Sequence, residues 1–201
     1  MFTGLVECTG SVVALKHEGS GCDLTIEPNR SLPAPELGDS IAINGCCLTV
    51  TQFTTTPQHW TFQAGSETLA RTSLGRLEPG SLINLETSMR MGDKIGGHLV
   101  TGHIDGQGFL KRIEEDGPWR NYWFEVPISL APQLASKGSI AIDGVSLTLV
   151  EVTASQFSVA LIPHTLEVTT LGQLKLGDSV NLETDVLAKY VQRQLQFLPR
   201  T

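Results

Sequence analysis

Asn44-Gly45-Cys46-Cys47-Leu48-Thr49-Val50 decides the reading of this chain, because it occurs a second time as Asp143-Gly144-Val145-Ser146-Leu147-Thr148-Leu149. The two glycines, 45 and 144, set an offset of 99 residues. Each copy reads as a turn, a small polar residue plus glycine, followed by a strand with a period of two. Cys46, Leu48 and Val50 share one face of the first strand, and Cys47 and Thr49 share the other. In the second, Val145, Leu147 and Leu149 face one way and Ser146 and Thr148 the opposite way. One face is therefore fit for a core. The other carries a thiol or hydroxyl and then a threonine. The pair reads as two equivalent walls of two binding sites that differ at one reactive position, Cys47 against Ser146.

Working outward, further blocks recur in the same order. Thr3-Gly4 returns as Thr101-Gly102, and Ile41-Ala42-Ile43 as Ile140-Ala141-Ile142. Thr68-Leu69 with Thr72-Ser73-Leu74-Gly75 answers Thr165-Leu166 with Thr169-Thr170-Leu171-Gly172. Both halves then close on Asn-Leu-Glu-Thr, at residues 84–87 and 181–184. Blocks repeated in order at a nearly constant spacing indicate a tandem duplication.

Short strands are expected at residues 11–15, 22–27, 40–43, 47–53, 60–63 and 82–86, and again at 108–113, 122–126, 139–142, 146–152, 157–161 and 180–183. Six short strands per half with frequent glycine turns read as a small closed barrel. The fold class is all-β: two similar six-stranded Greek-key barrels with a C-terminal α-helix. Domain limits are set at 1–97, with a linker over 88–97, then 98–185 and 186–201. A helix is expected over 129–137, with Ser129 as its cap and a glycine just past its end. Pro33 and Pro35 break the equivalent stretch 31–37. Short helices are expected over 66–72 and 164–170. After Asp185, Leu187, Tyr190, Val191, Leu195 and Leu198 follow a helical period. That helix has no counterpart after the first barrel, so it either packs back on its own chain or joins subunits.

Composition narrows the function. The chain has 201 residues, 40% apolar and 17% charged, the profile of a soluble globular protein. A net charge of −7 argues against nucleic acid as the main ligand, since phosphate binding rests on Lys and Arg. No apolar run spans a membrane, and Met1 to Glu7 lacks the basic and apolar regions of a signal peptide, so a cytoplasmic location is expected. Cys8, Cys22, Cys46 and Cys47 form no C-x-x-C pair, so no metal site is expected.

Residues 1–7 (Met-Phe-Thr-Gly-Leu-Val-Glu), 44–50, 95–104 (Ile-Gly-Gly-His-Leu-Val-Thr-Gly-His-Ile), 143–148 and 162–167 (Ile-Pro-His-Thr-Leu-Glu) together resemble the riboflavin synthases of the alpha-subunit type, across essentially the whole chain. The resemblance implies two β-barrels and a C-terminal helix in a homotrimer, and leaves association with lumazine synthase open. It implies a transferase for the last step of riboflavin biosynthesis. Two molecules of 6,7-dimethyl-8-ribityllumazine dismutate, one passing a four-carbon unit to the other. The products are riboflavin and 5-amino-6-(ribitylamino)uracil, and no cofactor is used. The resemblance also implies that the site lies between the N-terminal barrel of one subunit and the C-terminal barrel of the next. Joining two copies of one molecule calls for two similar pockets, and dismutation calls for unequal ones. Cys47 against Ser146 and Leu5 against His103 are such inequalities.

The 7-methyl group of the lumazine is acidic because its carbanion delocalises into the ring carbonyls, and donors placed at that charge assist. Thr49 and Thr148 suit this role; they are also ordinary strand formers. Cys47 either adds to C7 of the acceptor, or orients a water or ribityl hydroxyl that does, or is a structural thiol. His103 can move protons near neutral pH. His98 is read as a linker or interface residue, and His17, His59 and His164 as surface or rim. Ser146 and Asp185 match catalytic positions of the family, and Asp185 also suits the cap of the final helix. Lys137 is a ligand contact by resemblance, or a cation closing the 129–137 helix. Phe2 packs on a flat ring or in the core. By resemblance the ligand is further enclosed by Gly4, Leu5 and Val6; by Leu48 and Leu147; by Gln63, Ala64, Gly65, Ser66, Glu67 and Thr68; by Gly102 and Ile104; and by Ile162, Pro163, His164, Thr165, Leu166 and Glu167. Two other readings compete. One is a non-catalytic lumazine- or flavin-binding relative, disfavoured because Cys47, His103, Ser146 and Asp185 are all kept. The other is a tandem barrel for oligonucleotides, disfavoured by the acidic balance.

Overall fold

The structure is a computed structural model that describes residues 1–197. Six strands, β1 (Cys8–Glu18), β2 (Gly21–Pro28), β3 (Ser40–Ile43), β4 (Cys46–Thr55), β5 (Gln58–Ala64) and β6 (Leu82–Thr87), close a barrel in the order β1-β2-β5-β4-β3-β6. A second barrel repeats that order with β7 (Gly106–Asp116), β8 (Trp119–Glu125), β9 (Ser139–Ile142), β10 (Val145–Val152), β11 (Gln156–Leu161) and β12 (Ser179–Thr184). Every strand expected from the sequence is present. Several run longer than the alternation indicates. Lys16, His17 and Glu18, for example, are exposed at the tip of the β1–β2 hairpin and carry no apolar face to announce them. Closure leaves no free sheet edge, and each barrel holds its own apolar core. Leu24, Ile26, Trp60, Phe62 and Ile83 fill the first; Leu110, Tyr122, Phe124, Phe157 and Leu182 fill the second.

The turn that opens the sequence reading lies at the junction of the two barrels. Gly45 and Gly144 face each other so closely that a Cβ on Gly45 falls 2.6 Å from the Gly144 nitrogen. Two buried asparagines lock this contact. Asn84 Nδ2 donates to the Asp143 carbonyl and to Thr170 Oγ1, both at 2.9 Å. Asn181 Nδ2 donates to the Asn44 carbonyl at 2.8 Å, and its Oδ1 accepts from the Ser73 amide at 2.7 Å. Each barrel thus satisfies backbone groups of the other, which water cannot reach at this depth. A third, small core of Phe2, Ala42, Val100 and Ala141 lies between the barrels. Beside the junction a cleft of about 540 Å³ is lined by Asn44, Ser73, Arg76, Asp143, Thr170 and Gln173 among others.

Short helices α1 (Ser66–Arg71) and α2 (Pro163–Val168) follow β5 and β11, as expected. The helix expected over 129–137 is absent. Only a 3-10 turn, Ala131–Gln133, forms there, capped by Leu130 rather than Ser129 and carrying Pro132. Leu130 and Leu134 turn inward to the core instead, and Leu134 is already extended. Lys137 therefore ends no helix. It adopts φ +68, and its amide donates to the Leu149 carbonyl at 2.8 Å. The equivalent position in the first barrel is Gly38, at φ +92.

The last helix, α3 (Val186–Leu195), touches its own barrel through polar groups. Lys189 Nζ lies 2.8 Å from Asp105, and Gln133 Nε2 donates to Gln192. Leu187, Tyr190, Val191 and Leu195 are 59–68% exposed, so the apolar stripe is not spent on this chain. Leu198, which extends that stripe in the sequence, lies outside the described residues.

Candidate active site

The alternation of the repeated strands holds. Cys46, Leu48 and Val50 point into the first barrel, while Cys47 is half-buried and Thr49 exposed on its outer surface. Val145 and Leu149 point into the second barrel; Ser146 is half-buried and Thr148 exposed outside. The candidate sites are thus on the outer walls. Burial pushes the Cys46 thiol up to about 12, which leaves it an inert core group.

Each wall is completed by a loop from the opposite half. The amide of Cys47 donates to the Gly102 carbonyl at 2.9 Å, and the amide of Ser146 donates to the Gly4 carbonyl at 2.8 Å. Gly102 and Gly4 have φ +81 and +75, and a Cβ on either would lie 2.5 Å from the Cβ of its strand partner. Only glycine allows both the backbone and the approach. Beyond these glycines, Ile104 packs against the first core and Val6 against the second. The half that contributes Cys47 therefore receives Gly102, His103 and Ile104, and the half that contributes Ser146 receives Gly4, Leu5 and Val6. Leu5 and His103, both exposed, stand at matched positions on opposite walls. The two inequalities visible in the sequence fall together: Cys47 with the His103 loop, Ser146 with the Leu5 loop.

A buried carboxylate anchors each loop. Glu86 Oε1 accepts from the Thr3 amide and hydroxyl at 2.7 and 2.8 Å, and Oε2 from the Gly4 amide at 3.1 Å. Glu183 makes the same three bonds to Thr101 and Gly102 at 2.7, 2.7 and 2.9 Å. Burial raises the Glu86 carboxyl above its usual range, against the hydrogen bonds that lower it.

The Ser146 wall carries further groups. His98 Nδ1 lies 2.7 Å from Ser146 Oγ, and the half-buried ring leaves Nε2 buried without a partner. Burial lowers the His98 pKa, with Asp185 and Glu183 pulling the other way. Asp185 caps α3, its Oδ1 accepting from the Leu187 amide at 2.9 Å. Reading His98 as a linker residue missed this pairing; its place beside Ser146 depends on the fold of the linker.

The other residues expected around the ligand differ in burial. Phe2 is fully buried in the small core between the barrels, so its ring is not available to a ligand. Leu48 and Ala64 are core residues of the first barrel and can offer only backbone. Leu147 and Leu166 lean on the second core. Gln63, Gly65, Ser66 and Glu67 are exposed, with Thr68 half-buried, and Glu67 pairs with Arg71. Ile162, Pro163, His164 and Glu167 are exposed and Thr165 half-buried. Lys137 is exposed in its left-handed turn. The missed anchors, Asn84, Glu86, Asn181 and Glu183, belong to the repeated Asn-Leu-Glu-Thr block. Their signal was the retention of polar residues inside core strands.

The lumazine-binding domain family matches this chain twice, at residues 3–88 and 101–185. The riboflavin synthase of Actinobacillus pleuropneumoniae is 43% identical over 198 residues, covering 97% of this chain and 90% of that one. The riboflavin synthase of Mycobacterium tuberculosis is 43% identical over 199 residues, covering 98% of each. The chain belongs to the riboflavin synthase family. Its fold is also that of LumP, solved with 6,7-dimethyl-8-(1'-D-ribityl)lumazine (TM-score 0.81, 27% identity) and with riboflavin (TM-score 0.82, 28% identity). Both alignments cover 92% of this chain and 99% of the other. Family membership matches the duplicated walls, since each domain match contains one of them.

Proposed function

We propose that this riboflavin synthase family member binds one 6,7-dimethyl-8-ribityllumazine at each wall and dismutates the pair. One molecule gives up a four-carbon unit and leaves as 5-amino-6-(ribitylamino)uracil; the other becomes riboflavin. Atoms balance between two substrates and two products, so the reaction needs no co-reactant. The observation that carries this reading is the pair of equivalent outer walls with unequal side chains, Cys47 beside the His103 loop and Ser146 bonded to His98.

The walls divide the chemistry. His98, kept neutral by burial, can take the Ser146 hydroxyl hydrogen on Nδ1 and so make Ser146 Oγ an acceptor for a 7-methyl proton. Asp185, near enough to act on the His98 charge, steadies the imidazolium that forms. On the other wall Cys47 and His103 orient the nucleophile at C7 of the acceptor. Thr49 on that wall and Thr148 on the Ser146 wall donate to ring oxygens. Both walls face outward, so a second copy of the chain is needed to cover them. The exposed apolar stripe of α3 supports an oligomer, a trimer in keeping with the family resemblance.

Mixing the protein with the lumazine should yield riboflavin fluorescence, with one riboflavin formed per two lumazines consumed. Calorimetry with a non-reacting analogue should give two sites per chain. Binding without riboflavin formation would leave a lumazine carrier, and one site per chain with full turnover would refute the two-wall reading.

A further inference from the structure

The loops that complete the two walls are held by charge, and the wiring is crossed. Glu183 is 1% exposed on β12 of the second barrel. Its two oxygens take the amide and hydroxyl of Thr101 and the amide of Gly102 at 2.7–2.9 Å. The hydroxyl of Thr101 also accepts from the His103 amide at 3.2 Å. The carbonyl of Gly102 then accepts from the Cys47 amide, on β4 of the first barrel. A continuous run of hydrogen bonds therefore joins a carboxylate in one barrel to the reactive strand of the other. Glu86 makes the mirror run through Thr3 and Gly4 to Ser146, with the Leu5 amide on Thr3 Oγ1 at 3.3 Å.

Resting on the two-wall reading above, we propose that Glu183 is a positioning residue for the ligand site on the first barrel, and Glu86 for the site on the second. The chemistry requires a carboxylate. Three donors converge on two oxygens, and an ionised carboxylate is acceptor-only at both ends. A glutamine of the same size presents an NH₂ at one end, opposite an N–H or O–H that then has no acceptor. The loop must give way, because a buried donor without a partner is costly. On release the Gly102 carbonyl leaves the Cys47 amide and His103 loses its place over the first wall. The packing of Ile104 in the first core keeps the rest of the segment attached.

A role in stability alone would weaken both sites together or neither. Positioning across the barrels makes a selective prediction. Occupancy of the first wall is read by protection of Cys47 from iodoacetamide, followed by peptide mass, while calorimetry with a non-reacting lumazine analogue counts all sites. The wild-type protein should bind two analogues per chain; if it does not, the two-wall reading fails and not this one. In Glu183→Gln the analogue concentration that protects Cys47 should rise roughly tenfold or more, the size of one charge-assisted hydrogen bond. The other calorimetric site should hold within about twofold. Glu86→Gln should do the reverse, leaving Cys47 protection intact while the second site weakens. Both should lower kcat, because turnover needs both ligands. Thr101→Val, which keeps the carboxylate and removes one donor, should weaken the first site in the same direction by roughly threefold and serves if a glutamine variant does not fold. Equal weakening of both sites, weakening of the site on the same barrel as the substituted glutamate, or unchanged Cys47 protection in Glu183→Gln or Thr101→Val would overturn the proposal.

Discussion

Asp143→Asn should stabilise this protein at pH 8 and leave it unchanged at pH 4. The duplication supplies the comparison. Asn44 occupies the same turn in the first barrel, at the same φ of +44. Asn44 Oδ1 accepts from the Asn84 amide at 2.7 Å and Asp143 Oδ1 from the Asn181 amide at 2.8 Å. The hydrogen bond is common to both, so the charge is the difference. Asp143 is 4% exposed, and burial pushes its carboxyl from 3.8 up to about 7. Between those values the folded protein holds a proton that the unfolded chain has lost. Stability therefore falls as pH rises from about 4 to about 7 and is level above, a loss absent at lower pH where both states are protonated. At about 1.4 kcal/mol per unit the upper limit is about 4 kcal/mol, and relaxation of the adjoining cleft brings the expected gain for asparagine to about 1–3 kcal/mol. That is roughly 2–10 °C in Tm for a chain of this size. Asparagine tolerates the left-handed turn as well as aspartate does. The assay is thermal or urea unfolding of both proteins from pH 4 to 8 at one protein concentration. Parallel pH profiles, or a variant less stable at pH 8, would refute the reasoning.

Cys47→Ser should retain activity within about ten- to thirtyfold of the parent, since no base activates the thiol among the described residues; a loss beyond about a thousandfold with analogue binding intact would make it the covalent nucleophile. Lys137→Gly should hold or raise Tm by relieving a left-handed lysine, roughly 1 kcal/mol, while weakening analogue binding; a fall in Tm with binding unchanged would contradict both halves. Deleting the residues after Asp185 should lower the particle mass by light scattering and reduce turnover, and an unaltered mass with full turnover would remove α3 from assembly.

The duplication, the twelve strands and the inward or outward sense of Cys46, Cys47, Val145 and Ser146 were all legible in the sequence. Alternation with a period of two is a local property, and a barrel interior enforces it residue by residue. The proposed site positions, Cys47 and Ser146, stood out for the same reason, as polar residues repeated at one phase of a strand. The 129–137 helix misread a local cap signal that the inward pull of Leu130 and Leu134 overrides. What only the tertiary structure decided is which loop meets which wall. Nothing near Gly102 in the chain specifies a partner 55 residues earlier, and the crossed pairing arises because Ile104 and Val6 find core in the opposite barrel. His98 meeting Ser146, the asparagines spanning the junction and the glutamates gripping the loops share this cause. A buried polar group takes its meaning from the partner that satisfies it, and here that partner lies 48 to 137 residues away.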